Sequence, residues 1–228
     1  MTTDARPYSN PPTLAEDLLL LLFQPASGTI AGENTLFYVL GGAVLADLAL
    51  GDHLMAAARG RVSGVAGHPP ADGLLRPAWD YLAEKPRGVQ TALAAVGPAL
   101  REPVLERLIV RGDIDQEPRK VLGLFRTTAL RDGGTGRRAR LLADVREVLV
   151  DGVEPPARVA ALTALLSASG TLPQFHREIP WTSPVITRAK EFEKGDWGAN
   201  AAAEAVTRTV TATVVNSTIV AISVLPRS

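Results

Sequence analysis

Residues 18–22 of this chain are five consecutive leucines, set inside Thr13-Leu14-Ala15-Glu16-Asp17 and Phe23. A helix turns about 100° per residue, so five leucines in a row put apolar surface on every side of the cylinder. Such a helix has no face to give to water and must sit in the middle of a fold, surrounded. Thr13 and Glu16 set its start as a capping box, the hydroxyl accepting from the third helical N–H while the carboxylate reaches back. Gln24-Pro25 stops it. Glu16 and Asp17 then read as a cap and as solvated helix charges. Ten residues of helix span roughly 15 Å against a hydrocarbon core of about 30 Å, so this segment is too short to cross a bilayer.

The rest of the chain supplies helices to surround it. Phe37, Leu40, Val44 and Leu48 form one stripe of a helix from about Thr35 to Leu50, with Gly41-Gly42 leaving room for a close neighbour. His53 to Val65 reads as a small hairpin about Arg59-Gly60. Asp72 can cap a helix to about Ala83, and further helices are expected over Val89–Val96, Pro103–Arg111, Arg137–Val150, Pro155–Ala168 and Ser183–Lys194. Residues 198–222 mix Thr and Val richness with the helical spacing Val206, Val210, Val214, and are read as helix. Aromatics are only 5% of the chain, so Leu, Val and Ala must build the core, which favours packed helices over sandwich strands. No Gly/Ser linker or repeat divides it. The expected fold is mainly α: a flexible tail over 1–12, then a single globular helical domain over 13–228 with a central apolar helix and one or two short β-hairpins.

One stretch departs from this helical background. From Ile114 the pattern is that of an apolar hairpin, read as pairing Ile114–Glu117 with Lys120–Phe125 around Pro118-Arg119. Between Pro118 and Arg140, seven cations (Arg119, Lys120, Arg126, Arg131, Arg137, Arg138, Arg140) face one acid, Asp132. That is a local +6 in a chain of zero formal net charge. A positive patch around Val121-Leu122-Gly123-Leu124-Phe125 can pair with phosphates and dip apolar groups into a greasy layer. The plainer alternative is solvated arginines and a buried strand.

Catalytic and metal chemistry find little footing. Zero Cys removes disulfides, thiolate metal sites and Cys nucleophiles together, and is compatible with a reducing cytosol. His53, His68 and His176 are isolated from one another and from carboxylates at helical spacing, whereas metal ligation needs convergent ligands. No Gly-x-Ser-x-Gly elbow is present. Gly133-Gly134-Thr135-Gly136 opens a helix but lacks the Lys-Ser/Thr ending of a P-loop, so it reads as a flexible connector. Glu191 and Glu193 read as solvated helix charges. The expectation is a protein that is not an enzyme and carries no cofactor or metal.

The ordered series TLAEDLLLLLF, LGGAVLADLALGDHL, LREPVLERLIVRG, KVLGLFRTTAL and RAKEFEKGDW resembles the Golgi phosphoprotein 3 family over about Thr13 to Ile222. The abbreviated form, with Arg far outnumbering Lys, looks like a bacterial member. The resemblance implies a mainly helical domain that binds phosphatidylinositol 4-phosphate headgroups, inserts an apolar hairpin into the membrane and in some members self-associates through it. Golgi members are also adaptors for membrane-enzyme tails. The family hairpin falls on about Ile114 to Arg131. The family's headgroup tryptophan falls near Gly32, and its arginines fall at Gly41, Pro98 and Arg101, of which only Arg101 keeps the residue type.

The reading is a cytoplasmic, peripherally membrane-associated, non-enzymatic protein. Its partners would be an anionic phospholipid or membrane surface and, through the hairpin, a second copy. Arg101, Arg119, Lys120 and Arg126 are the expected headgroup contacts, Arg119 and Lys120 at the hairpin tip. Val121, Leu122, Leu124 and Phe125 are the apolar membrane or partner face. Two alternatives stand beside it: a winged-helix-like nucleic-acid binder whose wing is the basic hairpin, and an adaptor that packs the apolar run on another protein.

Overall fold

A computed structural model of the chain describes residues 10–121 and 125–195, with 213, 216–218 and 220; over 118–121 and 125–128 it describes the backbone alone. In chain order the first elements are α1 (Leu14–Leu22), β1 (Phe23–Gln24), β2 (Thr29–Ile30), α2 (Leu36–Leu50), β3 (Leu54–Ala57) and β4 (Arg61–Gly64). Then come α3 (Arg76–Ala83), β5 (Arg87–Gly88), α4 (Val89–Val96), α5 (Arg101–Val110), β6 (Ile114–Val121) and β7 (Phe125–Asp132). The last are α6 (Arg137–Arg146), α7 (Ala157–Ala168) and α8 (Ser183–Glu193).

The capping box forms as expected: Glu16 N donates to Thr13 Oγ1 at 3.2 Å and Thr13 N donates to Glu16 Oε2 at 2.8 Å. Leu18 to Leu22 are each no more than 1% exposed, walled in by α2, α5, α6 and α7. Burying a leucine fully is worth about 1.5–3 kcal/mol, so these five alone outweigh most local preferences in the chain. Gly41 and Gly42 do let neighbours close in. A Cβ at Gly41 would lie 3.2 Å from Leu93 Cδ2, and one at Gly42 only 2.6 Å from Thr218 Oγ1. One continuous core runs from Leu14 to Phe192, so the fold is a single mainly α domain.

All strand pairings are antiparallel, and the sheets are small. The β3–β4 hairpin closes through the three residues Ala58–Gly60, with Arg59 and Gly60 both at φ above +60°. Between Phe23 and Ile30 the structure adds a short pairing the sequence did not announce. Helix boundaries mostly follow the expected ones, with two shifts. Asp72 caps the turn before α3, its carboxylate accepting from Leu74 N at 2.7 Å, and the helix proper starts at Arg76. The Arg137 helix loosens into a π turn over Glu147–Asp151 and ends at Gly152, φ 75°. The expected tail over 1–12 falls mostly outside the described residues, as does most of 198–222; those described there are helical.

The acidic residues correct the sequence reading most sharply. Glu16 is fully buried, and Asp17 and Glu193 are 6% exposed. Spacing alone assigned them to water because it does not show what packs over them. Glu193 accepts from Ser167 Oγ at 2.5 Å and from Lys190 Nζ at 2.8 Å.

Candidate functional site: an exposed arm on a buried charge network

β6 and β7 pair in one unbroken register from Ile114↔Asp132 to Val121↔Phe125. Residues 122–124 connect them, so Leu122 and Leu124 lie outside the described residues. The turn expected at Pro118-Arg119 is therefore in the wrong place: both residues belong to β6, opposite Thr128 and Thr127. A two-stranded ladder consists only of edges, and an edge strand tolerates proline. The closed end of the hairpin is the Val121–Phe125 run itself. Arg119 and Lys120 are not at the tip but in the paired positions before it, with Lys120 opposite Arg126. The side chains of Arg119, Lys120, Val121, Phe125 and Arg126 lie outside what is described.

Ile114 is buried where β6 leaves α5, whereas Asp115, Gln116 and Glu117 are all exposed. Successive strand residues point to opposite faces, so three exposed in a row mean that neither face of β6 is covered there. At about 3.3 Å per residue, eight residues carry the closed end roughly 25 Å from the base. β7 is held lower down. Ala129 and Leu130 are half-buried, and Gly28 meets the Leu130 carbonyl so closely that a Cβ would lie 2.7 Å from it, at φ +72°.

The base is fastened by acidic and basic side chains from five elements. Asp113, 4% exposed, accepts from Thr135 Oγ1 at 2.6 Å and pairs with Arg137, so one carboxylate ties the entry of the hairpin to its exit. Arg137 continues to Asp17 at 2.5 Å, Arg158 bridges Asp17 at 2.6 Å and Asp47 at 2.8 Å, and Asp47 accepts from Leu14 N at 2.5 Å. On the other side of Glu16, Arg111 binds at 2.6 Å and also reaches the Asn10 carbonyl at 2.9 Å. Arg107 forks onto Asp72, both contacts 2.8 Å. Gly133 packs so tightly on the Gly112 carbonyl that a Cβ would overlap it. The connector is thus close-packed at Gly133, whereas Gly134, Thr135 and Gly136 are exposed.

Burial sets the electrostatics of this network. Desolvation pushes the Asp47 carboxyl up from 3.8 to about 7, outweighing the attraction of Arg158 and the Leu14 N–H. Burial also acts against ionised Asp72, but the Arg107 hydrogen bonds and the Leu74 and Leu75 N–H groups prevail and hold it below the usual carboxylate range. Around Arg158, desolvation is outweighed by Asp47 and Asp17, which raise the guanidinium's pKa.

The local +6 does not present one surface. Arg137 is spent inside the network, and Arg131 pairs with Glu117 across the ladder. Arg138 turns to the carbonyls at the end of α1, reaching Phe23 O at 3.0 Å. Arg101 is placed apart from the arm, where it binds Glu33 at 3.0 Å and Glu102 at 2.5 Å. The Glu33 hydrogen bond is the main reason its pKa lies above the ordinary value. Gly32 sits at φ +70° with Thr171 3.2 Å from a would-be Cβ, and Gly97 abuts the Phe37 carbonyl beside Gly41. Of the positions matching the family pocket, Gly32 and Gly41 are thus closely packed, Arg101 is ion-paired and Pro98 is exposed.

Sequence reasoning missed the network because its partners are separated by up to 141 residues, as for Asp17 and Arg158. A signal did exist: Asp47 is the only charge in the fifteen-residue apolar helix α2. Among the described residues, no group of three or more potential metal ligands converges and no helix is long and apolar enough to cross a membrane. No curated protein matches the chain. The family model for Golgi phosphoprotein 3 (GPP34) matches residues 14–209, which takes in α1, the arm and every helix through α8. The chain belongs to the Golgi phosphoprotein 3 (GPP34) family.

Proposed function

We propose that this protein is a non-enzymatic, peripheral binder of anionic membranes, with the β6–β7 arm as its contact element. The observation that carries the reading is the arm itself, a ladder whose β6 strand is uncovered on both faces over Asp115–Glu117 and whose strands end at Val121 and Phe125, the bounds of the Val-Leu-Gly-Leu-Phe run. Its charge is polarised along its length. Acidic Asp115, Glu117 and Asp132 lie toward the base, while Arg119, Lys120 and Arg126 occupy the last positions before the closed end. Placing Lys120 opposite Arg126 is unfavourable for a ladder in water, because like charges directly opposite destabilise the pair. An anionic surface relieves that repulsion.

The magnitudes suit reversible attachment. A basic residue close to an anionic surface contributes about 1 kcal/mol, so three give about 3 kcal/mol. Burying one Phe or Leu adds about 1.5–3 kcal/mol. The sum sits near millimolar-to-micromolar affinity before the loss of freedom on binding is subtracted. The reading rests on the arm rather than on the family's headgroup positions, of which only Arg101 keeps the residue type.

Liposome co-sedimentation tests it. The wild-type chain should pellet with vesicles containing anionic lipid. Leu124→Asp with Phe125→Asp should abolish pelleting while leaving the melting temperature unchanged. If melting collapses instead, the run is ordinary core, since losing a buried Leu or Phe costs about 2–5 kcal/mol. If duplex DNA releases the protein from vesicles at matched ionic strength, the nucleic-acid reading takes its place.

A further inference from the structure

A pocket of about 660 Å³ lies between the β1–β2 turn, the start of α6 and the 174–178 segment, and none of Gly32, Gly41, Pro98 and Arg101 lines it. Its wall includes Gln24, Arg138, Gln174, Phe175, Arg177 and Glu178. Arg138, from the first turn of α6, is half-buried, and its guanidinium lies 5.7 Å from the Phe175 ring centroid. Its Nε donates to Phe23 O at 3.0 Å and its Nη2 to Leu21 O at 3.5 Å. Among the described residues its Nη1 makes no hydrogen bond and no carboxylate comes within ion-pair distance. Glu178 and Asp132 act on it only through space. A guanidinium drawn partly out of water, with an N–H group and its charge unmatched among the described residues, is an arrangement that a bound anion completes.

We propose that this pocket is a binding site for a phosphate monoester, with Arg138 Nη1 and Arg177 as its two cations. Arg177 is exposed, on the 174–178 segment facing α6. Two guanidiniums from different elements approach a ligand from different directions, which suits a tetrahedral phosphate better than a planar carboxylate. Arg138 and Arg177 against Glu178 leave a net positive lining. The volume exceeds what a bare anion fills and lies within the roughly 300–1,000 Å³ of small-molecule sites. Gln24 and Gln174, bonded to each other across the mouth, offer neutral donors and acceptors for the rest of the molecule. The phosphate ester can come from a soluble metabolite or a lipid headgroup; the chemistry recognised is the same. This inference does not depend on the arm binding membranes.

Titration calorimetry on the full chain tests it, with glycerol 3-phosphate as ligand, glycerol as neutral control and ionic strength held fixed. Saturable binding of the ester and none of glycerol are expected. Arg177→Glu should weaken binding about tenfold or more without moving the melting temperature, because the side chain is exposed and makes no contact that the fold needs. Arg138→Met should also weaken it; since Arg138 closes α1 as well, Arg177→Glu is the deciding variant. Absence of saturable binding overturns the proposal, and so does binding that Arg177→Glu leaves unchanged. A second arm uses the Leu124→Asp, Phe125→Asp chain and phosphatidylcholine vesicles carrying phosphatidic acid. Pelleting that Arg177→Glu abolishes assigns the site to a headgroup; ester binding without pelleting assigns it to a soluble ligand.

Discussion

At the scale of single residues, Asp47 decides how this fold responds to pH. The folded chain holds its proton up to about pH 7, whereas an ordinary aspartate holds one only to 3.8. Folding therefore takes up a proton between those values. The stabilisation is complete below the lower one and gone above the higher, with a slope of up to about 1.4 kcal/mol per pH unit. Asp72 has the opposite sign: held below the usual range, it stabilises the fold above that range, and the contribution disappears as acid protonates it. The melting temperature should thus climb as pH falls from neutral toward about 4 and drop beyond it. Asp47→Asn should flatten the first limb and leave the second. Melts recorded from acid to neutral pH check this, and an unchanged slope in Asp47→Asn would show that another group carries the dependence.

At the scale of elements, the arm and its anchor are built on opposite physics. The anchor withdraws five carboxylates and three arginines into the body, with half-exposed Arg158 bridging two of the acids, because an unpaired buried charge is costly. The arm leaves Asp115, Glu117, Arg131 and Asp132 exposed and sets Lys120 opposite Arg126 near its end. Lys120→Glu turns the Lys120↔Arg126 pair into one of opposite sign. It should stabilise the isolated ladder by about 0.2–1 kcal/mol while weakening attachment to anionic vesicles. Amide hydrogen exchange along β6 and β7, read beside co-sedimentation, separates the two effects. Slower exchange with undiminished membrane binding would rule out an electrostatic role for the end of the arm.

For the whole molecule, the close packing at Gly32 and Gly41, the ion pairs of Arg101 and the polarised arm lead to the expectation that the proposed membrane binding follows surface charge rather than one lipid. Attraction to an anionic surface decays within a Debye length of roughly 8–10 Å near physiological salt. Binding to vesicles containing phosphatidylinositol 4-phosphate should therefore fall steeply as salt is added. Other anionic lipids at equal surface charge should largely match it. Salt-resistant binding confined to that one lipid would mean that Arg101 leaves Glu33 and Glu102 to form a pocket on contact.

Much of this protein could be read from local pattern. The leucine run dictated a surrounded helix, because no rotation of a five-leucine helix gives it a polar face. Thr13 and Glu16 set where that helix begins, and the Gly and Pro stops set most of the other boundaries. The ordered segments from Thr13 onward carried the family, and with it the position of the hairpin. What local pattern could not settle was the fate of charge. Asp17, Glu193, Arg137 and Arg138 look like solvated residues by spacing, yet packing brings partners from across the chain and buries them. The place of the hairpin's turn was hidden likewise, since Pro118 marks a turn in sequence but fits an edge strand once the register is formed. Burial and long-range pairing depend on which elements meet, and that is decided only when α1 is enclosed and the chain closes around it.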